Sequence, residues 1–171
     1  MARRQHDFYP TPGWATEALF EYCSILLHNH NAVEPCAGDG AITEVLDKYF
    51  TDVQTSDIDP SRKVDIICDA RNLVIDHRSS VITNPPFNQA MEIVKGFVEQ
   101  KAMSAFLLRL SFLEPTEARG PWLAANPPAG LIILPRISFT GDGKTDSVTC
   151  AWMVWNVDNF GVRVHPKTLN S

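Results

Sequence analysis

Short apolar runs in this chain alternate with amphipathic segments, and most runs end in a cluster of Gly, Pro or acidic residues. That alternation is the pattern of strands and helices taking turns around a mostly parallel sheet, because parallel neighbours need a crossover between them. Strands are expected at 32–36, 53–56, 64–68, 80–83, 104–108, 131–134 and 148–157. Helices are expected at 11–27, 42–50, 89–100 and around 115–125; in the first, Trp14, Ala18, Leu19, Tyr22 and Ile25 recur at helical spacing behind a Thr-Pro start signal. Between the last two strands there is no room for a helix, only a turn at Gly141-Asp142-Gly143, so those two strands should pair as an antiparallel hairpin. The expectation is an α/β fold with a mixed seven-stranded sheet, one antiparallel strand near its edge, and helices on both faces.

A length of 171 residues with 44% hydrophobic and 20% charged side chains suits one core, and the whole of 1–171 is expected to be a single catalytic domain. The longest apolar stretches, 129–134 and 148–155, are far short of a bilayer span, and Arg3-Arg4 has no apolar run behind it. A cytoplasmic protein without membrane contact is expected. Cys23, Cys36, Cys68 and Cys150 are widely spaced and read as reduced structural residues, and the five histidines have no partner at metal-ligand spacing, so no metal site is expected. A net charge of −5 argues against holding long stretches of nucleic acid by charge alone. Contact with a polyanion must then be local, through residues such as Arg3, Arg4, Arg109, Arg119, Arg136 and Lys144.

In a parallel sheet the ligand lies beyond the carboxyl ends of the strands, so the segments after each strand carry the chemistry. The first is Glu34-Pro35-Cys36-Ala37-Gly38-Asp39-Gly40, where Gly38 and Gly40 let backbone approach a ligand and Glu34 or Asp39 suits a cationic group. A plain strand-to-helix turn has the same glycines. The second is Ser56-Asp57-Ile58-Asp59, with Asp57 at the separation that places a carboxylate on a ribose diol. The third Gly of a dinucleotide-binding loop is absent, as is a phosphate-binding Lys-Ser/Thr, which favours a nucleoside without phosphates over a nicotinamide cofactor. The third segment is Cys68-Asp69-Ala70, where Asp69 suits an adenine amino group and equally suits a helix N-cap.

The fourth segment, Thr83-Asn84-Pro85-Pro86-Phe87, is the most informative. Two prolines fix the backbone and remove donors, leaving the carbonyls of Asn84 and Pro85 as acceptors beside the Asn84 side-chain oxygen. Such an acceptor set suits a planar amino group. Its nitrogen is a poor nucleophile because the lone pair is delocalised into the ring; two hydrogen bonds accepted from its hydrogens localise that pair for attack on a sulfonium methyl. Phe87 would stack on the base, which must leave a duplex to reach the pocket.

These residues resemble the motif set of the amino-methyltransferase branch of class I methyltransferases, above all the small adenine-N6 DNA methyltransferases of phages and prophages. Asp7-Phe8-Tyr9-Pro10-Thr11-Pro12 resembles the N-terminal cofactor motif, 34–40 the Gly-loop motif, Asn84-Pro85-Pro86-Phe87 the catalytic tetrapeptide, and 109–114 the loop after the fifth strand. The resemblance spans nearly the whole chain and implies a Rossmann-like class I methyltransferase fold. It also implies S-adenosylmethionine held by Tyr9, Thr11 and Pro12, by Glu34, Cys36, Ala37, Gly38 and Gly40, by Asp57 and Ile58 at the ribose, by Asp69 and Ala70 at the adenine, and by Asn84. DNA is the implied partner, with its flipped adenine met by Phe87, Arg109, Phe139 and Lys144.

Larger members of that family carry a target-recognition domain, which is not expected here, so target choice would fall to 109–117 and 139–146 or to a partner subunit or second copy. Related acceptors, adenine or guanine in RNA and glutamine in protein, share the planar-nitrogen problem and stay open. A catalytically silent binding subunit would be expected to lose Asn84 or the Gly-loop, and this chain keeps both.

Overall fold

The computed structural model describes residues 10–137 and 148–166. Its strands are β1 (Asn31–Glu34), β2 (Asp52–Asp57), β3 (Ile66–Ile67), β4 (Ser79–Thr83), β5 (Ser104–Arg109), β6 (Gly130–Ile133), β7 (Cys150–Trp155) and β8 (Gly161–Val164). They form one sheet in the order β3-β2-β1-β4-β5-β7-β6-β8. Pairing is parallel from β3 through β5, and β7 runs antiparallel to both β5 and β6. The expected hairpin partners do pair, with Ile132 opposite Trp152.

The sheet corrects the expected seven strands to eight among the described residues. β8 adds to β6 in parallel at the edge, after a turn in which Asn159 Oδ1 accepts from the Gly161 N–H at 3.0 Å. Its short Gly-Val-Arg-Val run is fully exposed and so carries no burial pattern to read. What admits it is Gly130: a Cβ there would collide with the Phe160 ring, which lies against the start of β6.

The helices are α1 (Gly13–Tyr22), α2 (Thr43–Leu46), α3 (Ala90–Glu99) and α4 (Gly120–Ala125). The first stops short of the expected 11–27. The backbone leaves helical geometry at Cys23, and Ser80 Oγ from β4 donates to the Leu26 carbonyl at 2.7 Å, so 24–28 tightens into a 3₁₀ turn docked on the sheet. α4 begins only at Gly120, ahead of a proline in its first turn.

Strand alternation sorts the core into two layers. Ala32, Ile82, Ala105, Leu107, Ile132 and Trp152 face α1 and α2, where Leu19 and Leu46 meet them. Val33, Val81, Phe106, Leu108, Met153 and Trp155 face α3, whose Ile93, Val94, Phe97 and Val98 form one buried stripe. Each buried Val, Leu, Ile, Phe or Met among them contributes roughly 1.5–3 kcal/mol. Trp152 Nε1 also donates to the Ala15 carbonyl at 2.6 Å, fastening α1 to the sheet. The carboxyl ends of β1, β2, β4 and β5 therefore open on one edge, beside the start of α1. Among the described residues no helix is long and apolar enough to cross a membrane.

Candidate active site

The Gly-loop after β1 is built from left-handed backbone. Gly38 and Gly40 have φ of 56° and 83°, values that favour glycine. The end of β2 clamps the loop: the Gly38 N–H donates to Asp57 Oδ2 at 2.9 Å, the Asp59 N–H to Asp57 Oδ1 at 2.9 Å, and the Ala37 N–H to the Ser56 carbonyl at 2.9 Å. Asp57 thus shapes the cradle it was expected to serve. Each carboxylate oxygen has two lone pairs, so these bonds are compatible with accepting a ribose hydroxyl as well.

Glu34, the last residue of β1, is only 1% exposed. Thr43 Oγ1, at the start of α2, donates to its Oε2. Burial pushes the Glu34 carboxyl up to about 8, against which the Thr43 hydrogen bond works only in part. Burial and the nearby Asp57 charge also push the Cys36 thiol up to about 12, so this sulfur is a thiol rather than a thiolate. Asp39, the other carboxylate offered for a cation, is paired with Arg62, which also reaches Asp59 at 3.4 Å.

Beyond β3, Asp69 caps the 3₁₀ turn Ala70–Asn72 by accepting from the Arg71 N–H at 2.9 Å. Its carboxylate also pairs with the Arg71 guanidinium, which holds it below the usual carboxylate range. The cap that the sequence allowed is what the structure contains. Ala70 is buried beneath it, while Ile58, next to Asp57, is 46% exposed and offers an apolar cover to the outer side of the loop.

The Asn84-Pro85-Pro86-Phe87 segment leaves β4 from the fully buried Thr83. Asn84 Nδ2 donates to Thr11 Oγ1 at 3.2 Å, joining residues 73 positions apart. Thr11 is itself buried just before Pro12, the N-cap of α1. The Pro86 carbonyl accepts from the Gln89 N–H at 3.0 Å and so leads into α3. Phe87 lies under the guanidinium of Arg109, whose Cζ is 4.0 Å from the ring centroid.

The expected residues are not all brought together. Thr11, Glu34, Cys36, Ala37 and Asn84 line one cleft together with Ala41 and Ile42. Gly38 and Asp57 are bonded beside it, and Phe87 and Arg109 are stacked. Ile58, Asp69 and Ala70 sit on the loops after β2 and β3, outside that cleft. Tyr9, Phe139 and Lys144 lie outside the described residues. Two supporting residues were not anticipated, Thr43 on Glu34 and Arg62 on Asp39. A hydroxyl in the first turn after a Gly-loop, and a cation three residues after Asp59, were the available signals.

No protein-family model and no curated protein matches the chain. Solved structures do. A Vibrio vulnificus protein named as a modification subunit of a type I restriction enzyme superposes with a TM-score of 0.66 over 99% of this chain at 10% identity, and the chain spans 49% of that protein's length. A Pyrococcus horikoshii protein named as an RNA methyltransferase gives a TM-score of 0.61 at 18% identity, covering 91% of both chains. The 23S rRNA methyltransferase ErmE gives 0.59 at 12% identity over 88% of this chain and 72% of its own. With the strand order and the antiparallel β7, these likenesses show that the chain has the Rossmann-like fold of class I methyltransferases.

Proposed function

We propose that the protein is an S-adenosylmethionine-dependent methyltransferase acting on the N6 amino group of adenine in DNA. The observation that carries this reading is the Asn84 to Thr11 hydrogen bond. Donation from Nδ2 to Thr11 orients the Asn84 amide, whose oxygen is the atom that would accept from an incoming amino group. Thr11 in turn belongs to the segment expected to hold the cofactor, so one contact ties the methyl donor's side of the cleft to the acceptor's side.

The residues present fit the cofactor. A buried carboxyl, Glu34, lines a cleft beside two left-handed glycines, and the Asp57 carboxylate retains acceptor capacity at the sheet edge. Thr11, Glu34, the backbone of 36–40 and Asp57 would hold it, with Ile58 and Ala70 as apolar cover and Asp69 at the purine edge. When bound, the cofactor supplies an electrophilic methyl group on sulfonium sulfur. Asn84 Oδ1 and the Pro85 carbonyl would accept from the acceptor's amino hydrogens, draw its lone pair out of ring conjugation and hold the nitrogen in line. The ring of Phe87, fixed by two prolines, would carry the flipped base.

RNA is the second reading, favoured by the names of the Pyrococcus protein and ErmE. The test is transfer of labelled methyl from S-adenosylmethionine to duplex DNA, single-stranded DNA, RNA and a protein extract, followed by nucleoside analysis. N6-methyladenine in DNA is the expected product. Label in RNA or protein keeps the role of Asn84 and replaces the acceptor, and no label in any of them overturns the reading in favour of a silent binding subunit.

A further inference from the structure

The loops after β4 and β5 meet through the stack of Arg109 on Phe87, and nothing in methyl transfer itself requires a cation there. A separation of 4.0 Å is stacking distance, so the guanidinium and a flat acceptor cannot share that face of the ring. Both partners are held from behind. Phe87 follows two prolines and a fully buried Thr83. Arg109 ends a strand whose preceding five residues are buried, is in register with Cys150, and is followed by a Leu110 N–H donating to the Thr149 carbonyl at 3.0 Å.

We propose that Arg109 determines specificity for a phosphate-bearing acceptor: its guanidinium covers the stacking face of Phe87 and yields it only to a base that arrives with a phosphodiester. The inference rests on the nucleic-acid reading above. A displaced guanidinium loses its ring contact. A backbone phosphate beside the flipped base replaces that contact with charge-assisted, bidentate hydrogen bonds, which are stronger. A free nucleoside or a glutamine carboxamide presents the same planar nitrogen but nothing for the guanidinium to move to. Discrimination then lies between polymer and monomer, and needs no large basic surface, in keeping with a net charge of −5.

The experiment compares an adenine-containing DNA oligonucleotide with free adenosine, each as acceptor, in the wild type, Arg109→Met and Arg109→Lys. Arg109→Met should lower the ratio of kcat/KM for oligonucleotide over adenosine by about 10-fold, the scale of exchanging one partly buried cation–π contact for one charge-assisted pair. The change should lie in KM rather than kcat. Arg109→Lys, which keeps the charge without the planar fork, should fall between. In the free protein, Arg109 side-chain protons should show an upfield ring-current shift in NMR that disappears on saturation with the oligonucleotide. Equal losses with both acceptors, or a ring-current shift that persists in the complex, would make Arg109 a structural brace and overturn the inference alone. Methyl transfer to neither acceptor by the wild type would overturn the proposed function and this inference with it.

Discussion

β5 and β7 bury nearly every residue they contain, whereas β2 and β3, on the far side of β1, are half-buried or exposed at every position but Ser56 and end on Asp57 and Ile67. The first half is held by side-chain packing on both faces. The second is held to a greater extent by hydrogen bonds and ion pairs, among them Thr55 with Asp65, Asp39 with Arg62 and Asp69 with Arg71. Opening free energy tends to follow buried apolar contact, so the packed half should be the last to open and the polar half the first. The candidate cleft lies at the seam, at β1 and β4, where Glu34 and Asn84 emerge from buried strands into the ligand loops.

Substitutions in the two halves should therefore separate stability from chemistry. Trp152→Ala is expected to give the largest effect, a loss of roughly 3–5 kcal/mol in urea denaturation, because it removes a fully buried indole and its bond to Ala15. A loss below about 1 kcal/mol would erase the contrast. Asn84→Ala should reverse the pattern: methyl transfer falls by about 10² to 10³, while stability drops only by about the 1 kcal/mol of one hydrogen bond. Asp57→Ala should weaken cofactor affinity by roughly 1–3 kcal/mol in calorimetric titration, through lost ligand bonds and a loosened Gly38 and Asp59 backbone. If Asn84→Ala and Asp57→Ala weaken cofactor binding equally, the division between cofactor and acceptor residues is wrong.

The last expected effect concerns pH. Glu34 has its carboxyl raised to about 8 in the folded protein from 4.5, so the folded state binds a proton more tightly than the unfolded one. The stability this confers is complete below pH 4.5 and is lost as pH rises through about 8. Glu34→Gln should flatten the dependence of melting temperature on pH across that window. An unchanged slope would mean that Glu34 is ionised in the folded protein, as Asp69 is beside its arginine.

Helix α3 was legible in sequence because Ile93, Val94, Phe97 and Val98 repeat at helical spacing between polar residues, and the β6 and β7 pair because no helix fits between them. The positions of the strands were legible too, but their ends were not: the expected 32–36 and 148–157 run two residues past the observed Glu34 and Trp155. The end of α1 was not legible either, because Ser80, which captures Leu26, lies 54 residues away. The same limit hid the bond between Thr11 and Asn84 and the stack of Arg109 on Phe87. Local pattern names the residues of a site, while the pairing among them is set by the strand order that brings them together. β8 was missed for a different reason: an exposed strand has no apolar period to detect.

Among the described residues β8 has a neighbour on one side only, and Val162 and Val164 are largely exposed along it. A strand in that position is a template on which another chain can add its backbone, the first step of aggregation. Its shortness and the cation of Arg163 between the two valines oppose this, since a second copy docking in register would bring like charges together. Arg163 is thus the position on this edge strand where a neutral replacement is expected to favour self-association, read as turbidity on concentrating the protein.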